Sequence, residues 1–129
     1  MTEFEFLKWV HLLAAATWTG GLIVLAFLVG AARKAGADVE ILRVLARRFG
    51  VVSWTAMAVA VLAGLRLYTL IGRPWADLAL KGTLIALSVG VSLLHHFTAR
   101  RSSPTMRGVQ QAIILALAVG IFGAAVVLA

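Results

Sequence analysis

Seven side chains that could bind a metal ion or a cofactor lie inside strongly apolar segments of this sequence. They are His11, Trp18, Met57, Arg66, Lys81, His95 and His96. Imidazole and thioether groups are ligands for copper, imidazole also binds haem iron, and cationic side chains bind carboxylates. Ionisable groups are costly inside a bilayer unless they are paired or hydrated, so each is a candidate for function.

The segment FLKWVHLLAAATWTGGL contains the first of these candidates. At 100° per residue, Lys8, His11 and Trp18 fall on one face of a helix, and Ala14 and Ala15 leave room between His11 and Trp18. A flat ligand could occupy that gap. Alternatively, Lys8 extends to the outer interface and His11 hydrogen-bonds a neighbouring helix. The residues alone leave both interpretations open.

A polar stripe follows the third apolar segment. Lys81, Ser88, Ser92 and His95 lie within about 40° of one another on a helix, with His96 to one side. Such a stripe lines an ion or proton path, or it forms an interhelical hydrogen-bonding contact. Adjacent histidines point about 100° apart, so we expect at most one of the pair to face other helices.

Depth along the helices separates the candidates into two sites. His11 and Lys81 each lie about six residues from the outer ends of helices that run in the same direction, so they can share a site. His95 lies about 20 Å deeper than Lys81 and cannot join His11 around one ion. We therefore predict an outer and an inner site.

The second apolar segment contributes Met57 and Arg66. Met57 is a possible copper ligand among small residues, although methionine more often fills a core. Arg66 lies at the level of His11 and binds an anionic group or anchors the interface. The fourth segment, with Gln110 and Gln111 near its start, is predicted to be a packing or oligomer surface.

The composition indicates an all-α membrane protein. Of the 129 residues, 62% are hydrophobic and 13% charged, and the mean hydropathy is +1.00. Four spans are predicted, at roughly 5–30, 49–71, 76–98 and 108–129. We expect one domain over 1–129, an up-down-up-down four-helix bundle. Asp38 is predicted to cap a cytoplasmic extension of the second helix, and Pro74 and Pro104 to occupy the first turns of the third and fourth.

The positive charge predicts the topology. Of the net +7, most lies in two connections between spans, which contain Arg33, Lys34, Arg43, Arg47 and Arg48, and Arg100, Arg101 and Arg107. The positive-inside rule places both connections in the cytoplasm and both termini on the outer, periplasmic side. This clustering disfavours nucleic-acid binding. The absence of cysteine excludes disulfides and thiolate metal sites.

Three blocks carry a resemblance to a known family: LKWVHLLAAATWTGGL, ARRFGVVSWTAMAVAVLAGLRLYTLIGRP and LALKGTLIALSVGVSLLHHFTARR. Together they resemble a short four-helix module of the copper-resistance D (CopD) family of bacterial inner-membrane proteins. More distantly, they are similar to the HemJ-type protoporphyrinogen oxidases. The resemblance covers nearly the whole chain and singles out His11, Trp18, Gly20, Gly21 and Lys81. In HemJ-like proteins the helix-1 histidine is implicated as a ligand of b-type haem, and a helix-3 lysine is also important.

Three functions are expected from these observations. In the first, copper is bound or passed by His11, with Met57, His95 and His96 as further ligand candidates, along a polar-lined bundle. In the second, His11 binds haem b against Trp18, while Lys81 or Arg66 pairs with the propionates. If the chain is an enzyme, it is then a haem-dependent membrane oxidoreductase. In the third, the chain is a membrane scaffold without a cofactor.

The expected partners follow from the same interpretation. They are the lipid bilayer, a second copy of the chain through glycine-rich faces, and a periplasmic copper protein or an electron-transfer partner. Hydrolytic catalysis is disfavoured, because the five carboxylates lie at the ends and in connections and the serine and threonine residues have no evident activating partner.

Overall fold

The computed structural model describes residues 1–98 and 101–128, and within these it contains four α-helices and no strand. They are α1 (Glu3–Lys34), α2 (Val39–Ile71), α3 (Ala79–Thr98) and α4 (Pro104–Leu128), with a short 3-10 helix (Trp75–Leu78) before α3. The prediction of an all-α protein is therefore confirmed. Arg100, one of the predicted topology signals, lies outside the described residues.

Within the described residues, four helical segments are long and apolar enough to cross a membrane: Glu3–Lys34, Val39–Ile71, Trp75–Thr98 and Thr105–Val127. These coincide with the predicted spans. α1 and α2 have 32 and 33 residues, so each is about 50 Å long, well beyond the ~30 Å hydrocarbon core. The predicted extension of the second helix is therefore confirmed, whereas its cytoplasmic location stays a prediction.

Side-chain caps explain where these helices begin. At the start of α1, the Glu5 backbone N–H donates to Thr2 Oγ1 and the Thr2 N–H donates to the Glu5 carboxylate, which is a capping box. Asp38 Oδ1 accepts from the Ile41 N–H at 3.0 Å, as predicted for α2. Two backbone donors are thus satisfied locally at the start of α1, and one at the start of α2.

The two prolines behave differently from each other. α4 begins at Pro104, and the preceding Ser103 hydroxyl accepts from the Met106 N–H at 3.1 Å, as predicted for a first-turn proline. Pro74 instead precedes the 3-10 helix, because the Asp77 N–H donates to the Pro74 carbonyl across an i to i+3 turn. The α-helical part of the third segment begins only at Ala79.

The chain divides into two compact units, Met1–Arg73 and Pro74–Ala129. In the first unit α1 packs along α2, and in the second α3 packs along α4. Each unit is thus a helical hairpin, which we call hairpin 1 and hairpin 2. The predicted four-helix bundle concerns the arrangement of the two hairpins, and it stays a prediction.

Small side chains dominate the buried surface of hairpin 1. α2 buries three alanines, Ala56, Ala60 and Ala63, and three contacts define an antiparallel register along α1. Glu3 meets Arg66, His11 meets Ala60, and Gly21 meets Phe49. Small residues at such an interface let the two helix backbones approach closely, which strengthens packing where lipid supplies no hydrophobic driving force.

Hairpin 2 has a buried stripe on α4 and a buried serine on α3. Gln110, Ile114, Ala118 and Ile121 recur at helical spacing and are each at most 8% exposed. Ser88 is fully buried at mid-height of α3. The polar stripe predicted on α3 therefore includes at least one side chain that is removed from lipid.

Candidate functional site

His11 is held against the backbone of α2. Its Nδ1–H donates to the Ala60 carbonyl oxygen across 2.7 Å, and the ring lies over Gly64. A Cβ atom at position 64 would stand 2.9 Å from His11 Cε1, closer than real Cβ contacts come, and 3.1 Å from Nδ1, closer than most of them. The half-buried ring therefore occupies a notch that only glycine leaves open.

This hydrogen bond has a chemical consequence for the imidazole. In the neutral ring, a proton on Nδ1 leaves the lone pair on Nε2, the nitrogen through which a metal ion would bind. Metal-ligating histidines usually donate their other N–H to a carbonyl or carboxylate in this way. The bond to a neighbouring helix is also what the structural alternative predicts. The contact therefore joins α1 to α2. It also selects the Nδ1-protonated tautomer, which is the tautomer of a histidine that binds a metal ion through Nε2.

Trp18 and Met57 are buried in the same unit, each 6% exposed. Met57 lies one turn along α2 from Ala60, so it shares the helix face that His11 contacts. Ala14, between His11 and Trp18 on α1, is only 8% exposed. Protein atoms thus cover the face on which the sequence predicted an open gap, and a flat ligand could enter there only if those atoms moved.

Arg66 binds a carboxylate of its own chain. Its Nη2 and Nε lie 2.7 Å and 2.9 Å from Glu3 Oε1. The pair joins the beginning of α1 to the last turns of α2, and both side chains are more than half exposed. Arg66 therefore binds a carboxylate, as its chemistry predicts, but an external anion would have to displace Glu3.

The stripe on α3 is unevenly buried. Lys81 and Ser92 are half-buried, whereas Ser88 is inaccessible to solvent. Among the residues that the structure describes, the Ser88 hydroxyl has no hydrogen-bond partner, and neither does that of Thr19 on α1. Buried polar groups are usually satisfied, so an unpartnered hydroxyl in α3 marks a place where a further donor or acceptor is chemically favourable.

His95 belongs to a side-chain network between α3 and α4. Its Nδ1–H donates to Gln110 Oε1 at 2.9 Å, and its Nε2 accepts from the Gln111 amide at 2.8 Å. The Gln110 amide in turn lies 3.3 Å from Thr98 Oγ1. Both ring nitrogens are thus engaged, and in this arrangement His95 serves as an interhelical hydrogen-bonding residue.

The partners of His95 were missed at the level of sequence, where α4 was predicted to be a packing or oligomer surface. A signal was present, because His95 lies in the last turn of α3 and Gln110 and Gln111 lie in the second turn of α4, so all three are near the ends that the connection joins. His96 is exposed and meets the neighbouring Phe97 ring edge-on, with centroids 5.2 Å apart. The two adjacent histidines therefore diverge, as predicted.

The predicted site residues are distributed over both units. His11, Trp18, Met57 and Arg66 lie in hairpin 1, and Lys81, His95 and His96 lie in hairpin 2. Within residues 1–98 and 101–128, no three side chains of His, Cys, Asp or Glu come together as a metal site. A site shared by His11 and Lys81 stays a prediction.

Comparisons with family models, with curated proteins and with solved structures each found no match. The resemblance to CopD and HemJ proteins therefore rests on the three quoted sequence blocks.

Proposed function

We propose that this chain is a CopD-like membrane protein of the bacterial inner membrane that binds copper through His11 in hairpin 1. The observation that carries the proposal is the 2.7 Å hydrogen bond from His11 Nδ1 to the Ala60 carbonyl. It orients the ring and puts the lone pair on Nε2, as in histidines that bind metal ions. No rearrangement of the protonated nitrogen is then needed for binding.

Met57 is the proposed second ligand. Its thioether lies on the face of α2 that carries Ala60 and Gly64, and the side chain is buried. Soft sulfur ligands favour Cu(I), and imidazole binds both copper oxidation states. A His–Met pair at the α1–α2 interface therefore suits copper better than it suits Mg²⁺ or Ca²⁺, which prefer oxygen ligands.

Passage of the ion is the second part of the proposal. The stripe on α3 offers the buried Ser88 hydroxyl and the half-buried Ser92 between Lys81 and His95. Hydroxyl oxygens along a buried helix face favour polar or charged cargo over lipid. With the basic connections in the cytoplasm and both termini in the periplasm, the copper site at His11 would be nearer the periplasmic surface.

Haem b is the second candidate ligand, and the same tautomer of His11 favours it. A haem would supply redox chemistry, with His11 as an axial ligand and Arg66 or Lys81 beside the propionates. It would need more space than an ion. The face between His11 and Trp18 is covered, and Arg66 is bound to Glu3. These contacts favour copper over haem.

The test combines elemental analysis for copper and iron with a reduced-minus-oxidised absorption spectrum. Both are recorded on the full chain, purified in detergent from copper- and haem-replete cells. His11→Asn is the decisive variant, because its amide N–H can replace Nδ1–H toward Ala60 while Nε2 is lost. His96→Asn is the matched control at an exposed histidine.

We expect stoichiometric copper in the wild-type protein and in His96→Asn, and its loss in His11→Asn at unchanged helix content. Met57→Leu should weaken copper binding while preserving volume. Stoichiometric iron with Soret and α bands that depend on His11 would replace copper with haem. Neither metal at stoichiometry would overturn the proposal in favour of a scaffold without a cofactor.

A further inference from the structure

An apolar groove runs along one side of hairpin 1. It has a volume of about 390 Å³, and its walls include Val10, Leu13 and Thr17 of α1 and Val51, Val52 and Val59 of α2. The Thr17 hydroxyl donates to the carbonyl of Leu13 in its own helix at 2.8 Å, so it presents little polarity to the groove. The volume lies in the range of small-molecule pockets.

The length of the groove matches one leaflet of a bilayer. From Val51 to Val59 it extends about 12 Å at 1.5 Å per residue. The uncharged stretch of α2 lies between Arg48 and Arg66 and is about 27 Å long, close to the ~30 Å hydrocarbon core. The groove therefore occupies the half of that stretch nearer to Arg48.

Two arginines stand at the end of the groove. Arg47 is four residues before Val51, and Arg48 is four residues before Val52. The two residues of each pair therefore lie on the same helix face, about 6 Å apart along the axis. Both arginine side chains are exposed. An apolar channel is thus continued, within one helical turn, by two positive charges.

No carboxylate neutralises these two charges among the described residues. The ion pairs there join Arg43 to Glu40, at 3.9 Å, and Arg66 to Glu3. Guanidinium groups bind phosphate oxygens with paired hydrogen bonds, and basic residues next to a membrane span are attracted to anionic lipid. An anion joined to a hydrocarbon chain would suit both the two charges and the apolar groove.

We propose that hairpin 1 binds one anionic phospholipid, with an acyl chain in the groove and the phosphate group at Arg47 and Arg48. A purely apolar protein helix would fill the groove but would leave both charges without a counter-ion. A phospholipid supplies the apolar chain and the anion at the required separation. This lipid site is independent of copper binding, because it uses neither His11 nor Met57.

The experiment is native mass spectrometry of the full chain in detergent, titrated with phosphatidylglycerol or with phosphatidylcholine of the same acyl chains. We expect one saturable phosphatidylglycerol site per chain and weaker phosphatidylcholine binding. Arg47→Gln/Arg48→Gln should weaken phosphatidylglycerol binding about 30-fold, from the typical contribution of two basic residues. The control Arg33→Gln/Lys34→Gln removes the same charge more than a Debye length from the groove, and its loss should stay below about 3-fold.

The groove itself is tested separately from the charge. Thr55→Phe places an aromatic ring in the groove wall, whereas Ala58→Phe adds a ring about 4.5 Å further along α2, at an exposed position outside the groove. We expect only Thr55→Phe to reduce binding, with circular dichroism reporting that both variants remain helical. Equal binding of the two lipids, or equal losses in a variant and its control, would overturn the proposal. Disulfide cross-linking of Thr55→Cys chains in bilayers containing phosphatidylglycerol would assign the groove to a second copy instead.

Discussion

The two hairpins each hold a histidine between their helices, but they hold it by different means. In hairpin 1, His11 donates to a backbone carbonyl and lies over a glycine. In hairpin 2, His95 donates to one glutamine side chain and accepts from another. In the first arrangement Nδ1 bonds a main-chain carbonyl of the neighbouring helix, and in the second the two ring nitrogens bond two side chains.

This difference separates a ligand-like histidine from a structural one. A backbone carbonyl can only accept, so its bond to His11 places the proton on Nδ1 and directs the coordinating lone pair to Nε2. Two glutamine amides provide one acceptor and one donor, which match the neutral imidazole of His95 at both ends. Chemistry is therefore expected at His11, and packing at His95.

The largest effect on stability and copper content is expected from adding one methyl group to α2. Gly64→Ala places a Cβ 2.9 Å from the ring of His11, which its hydrogen bond to Ala60 prevents from moving freely. We expect the free energy of unfolding to fall by about 1–3 kcal/mol, as for overpacked cores, and copper to be lost. Unfolding by SDS in mixed micelles measures the first quantity, and elemental analysis the second.

Two further glycines provide controls for that variant. Gly50→Ala meets nothing within 4 Å and should change the stability by less than about 1 kcal/mol, in the stabilising direction set by helix propensity. Gly21→Ala would stand 2.8 Å from the end of the Phe49 ring, which can turn aside and should cost less than Gly64→Ala. If all three variants behave alike, the notch around His11 has no special role.

A medium effect is expected in hairpin 2. Gln110→Leu leaves the His95 Nδ1–H without its acceptor and should lower the free energy of unfolding by about 1–2 kcal/mol. The double variant His95→Leu/Gln110→Leu removes both partners, so it should recover part of that loss. Copper content should stay unchanged in both variants. Loss of copper from Gln110→Leu would contradict the assignment of His95 to packing.

The smallest effect is expected at the exposed ion pair of hairpin 1. Glu3→Gln weakens the contact with Arg66, and because both side chains are more than half exposed, the expected cost is about 0.2–1 kcal/mol at low salt. The loss should shrink as the salt concentration rises. Glu40→Gln, which removes the longer 3.9 Å pair with Arg43, should cost less.

The Glu3→Gln variant also distinguishes haem from copper as the ligand. Glu3→Gln releases Arg66 from its carboxylate, so a haem site with propionates beside Arg66 should gain haem occupancy. A copper site at His11 should be unaffected. Haem spectra and copper content of Glu3→Gln, measured beside the wild-type protein, therefore distinguish the two candidates without altering His11.

Much of the secondary structure could be predicted from local patterns. Hydrophobic length predicted the four helical segments that are long and apolar enough to cross a membrane. Asp38 lies at the start of α2, where its carboxylate accepts a backbone N–H group, and Pro104 lies in the first turn of α4. The 3-10 turn after Pro74 was not predicted, because the apolar pattern continues through it and distinguishes poorly between helix types. Local chemistry thus specified the helices but not every detail of their ends.

The candidate site was predicted less completely. Helical spacing placed His11 and Trp18 on one face, and both lie on the packed side of α1. The spacing could not show that Gly64 would receive the His11 ring, or that Arg66 would bind Glu3, since these partners are more than 50 residues apart. The glutamines that bind His95 were likewise assigned to packing.

The sequence by itself determined the helical class, the apolar lengths that suit a bilayer, the caps and the inventory of possible ligands. These features depend on neighbouring residues and on composition, so they can be evaluated along the chain. The tertiary structure decided that His11 Nδ1 bonds the Ala60 carbonyl, that both nitrogens of His95 bond glutamines, and that Arg66 pairs with Glu3. Such choices depend on the register of one helix against another, a long-range property set by the packing of small residues at the interface.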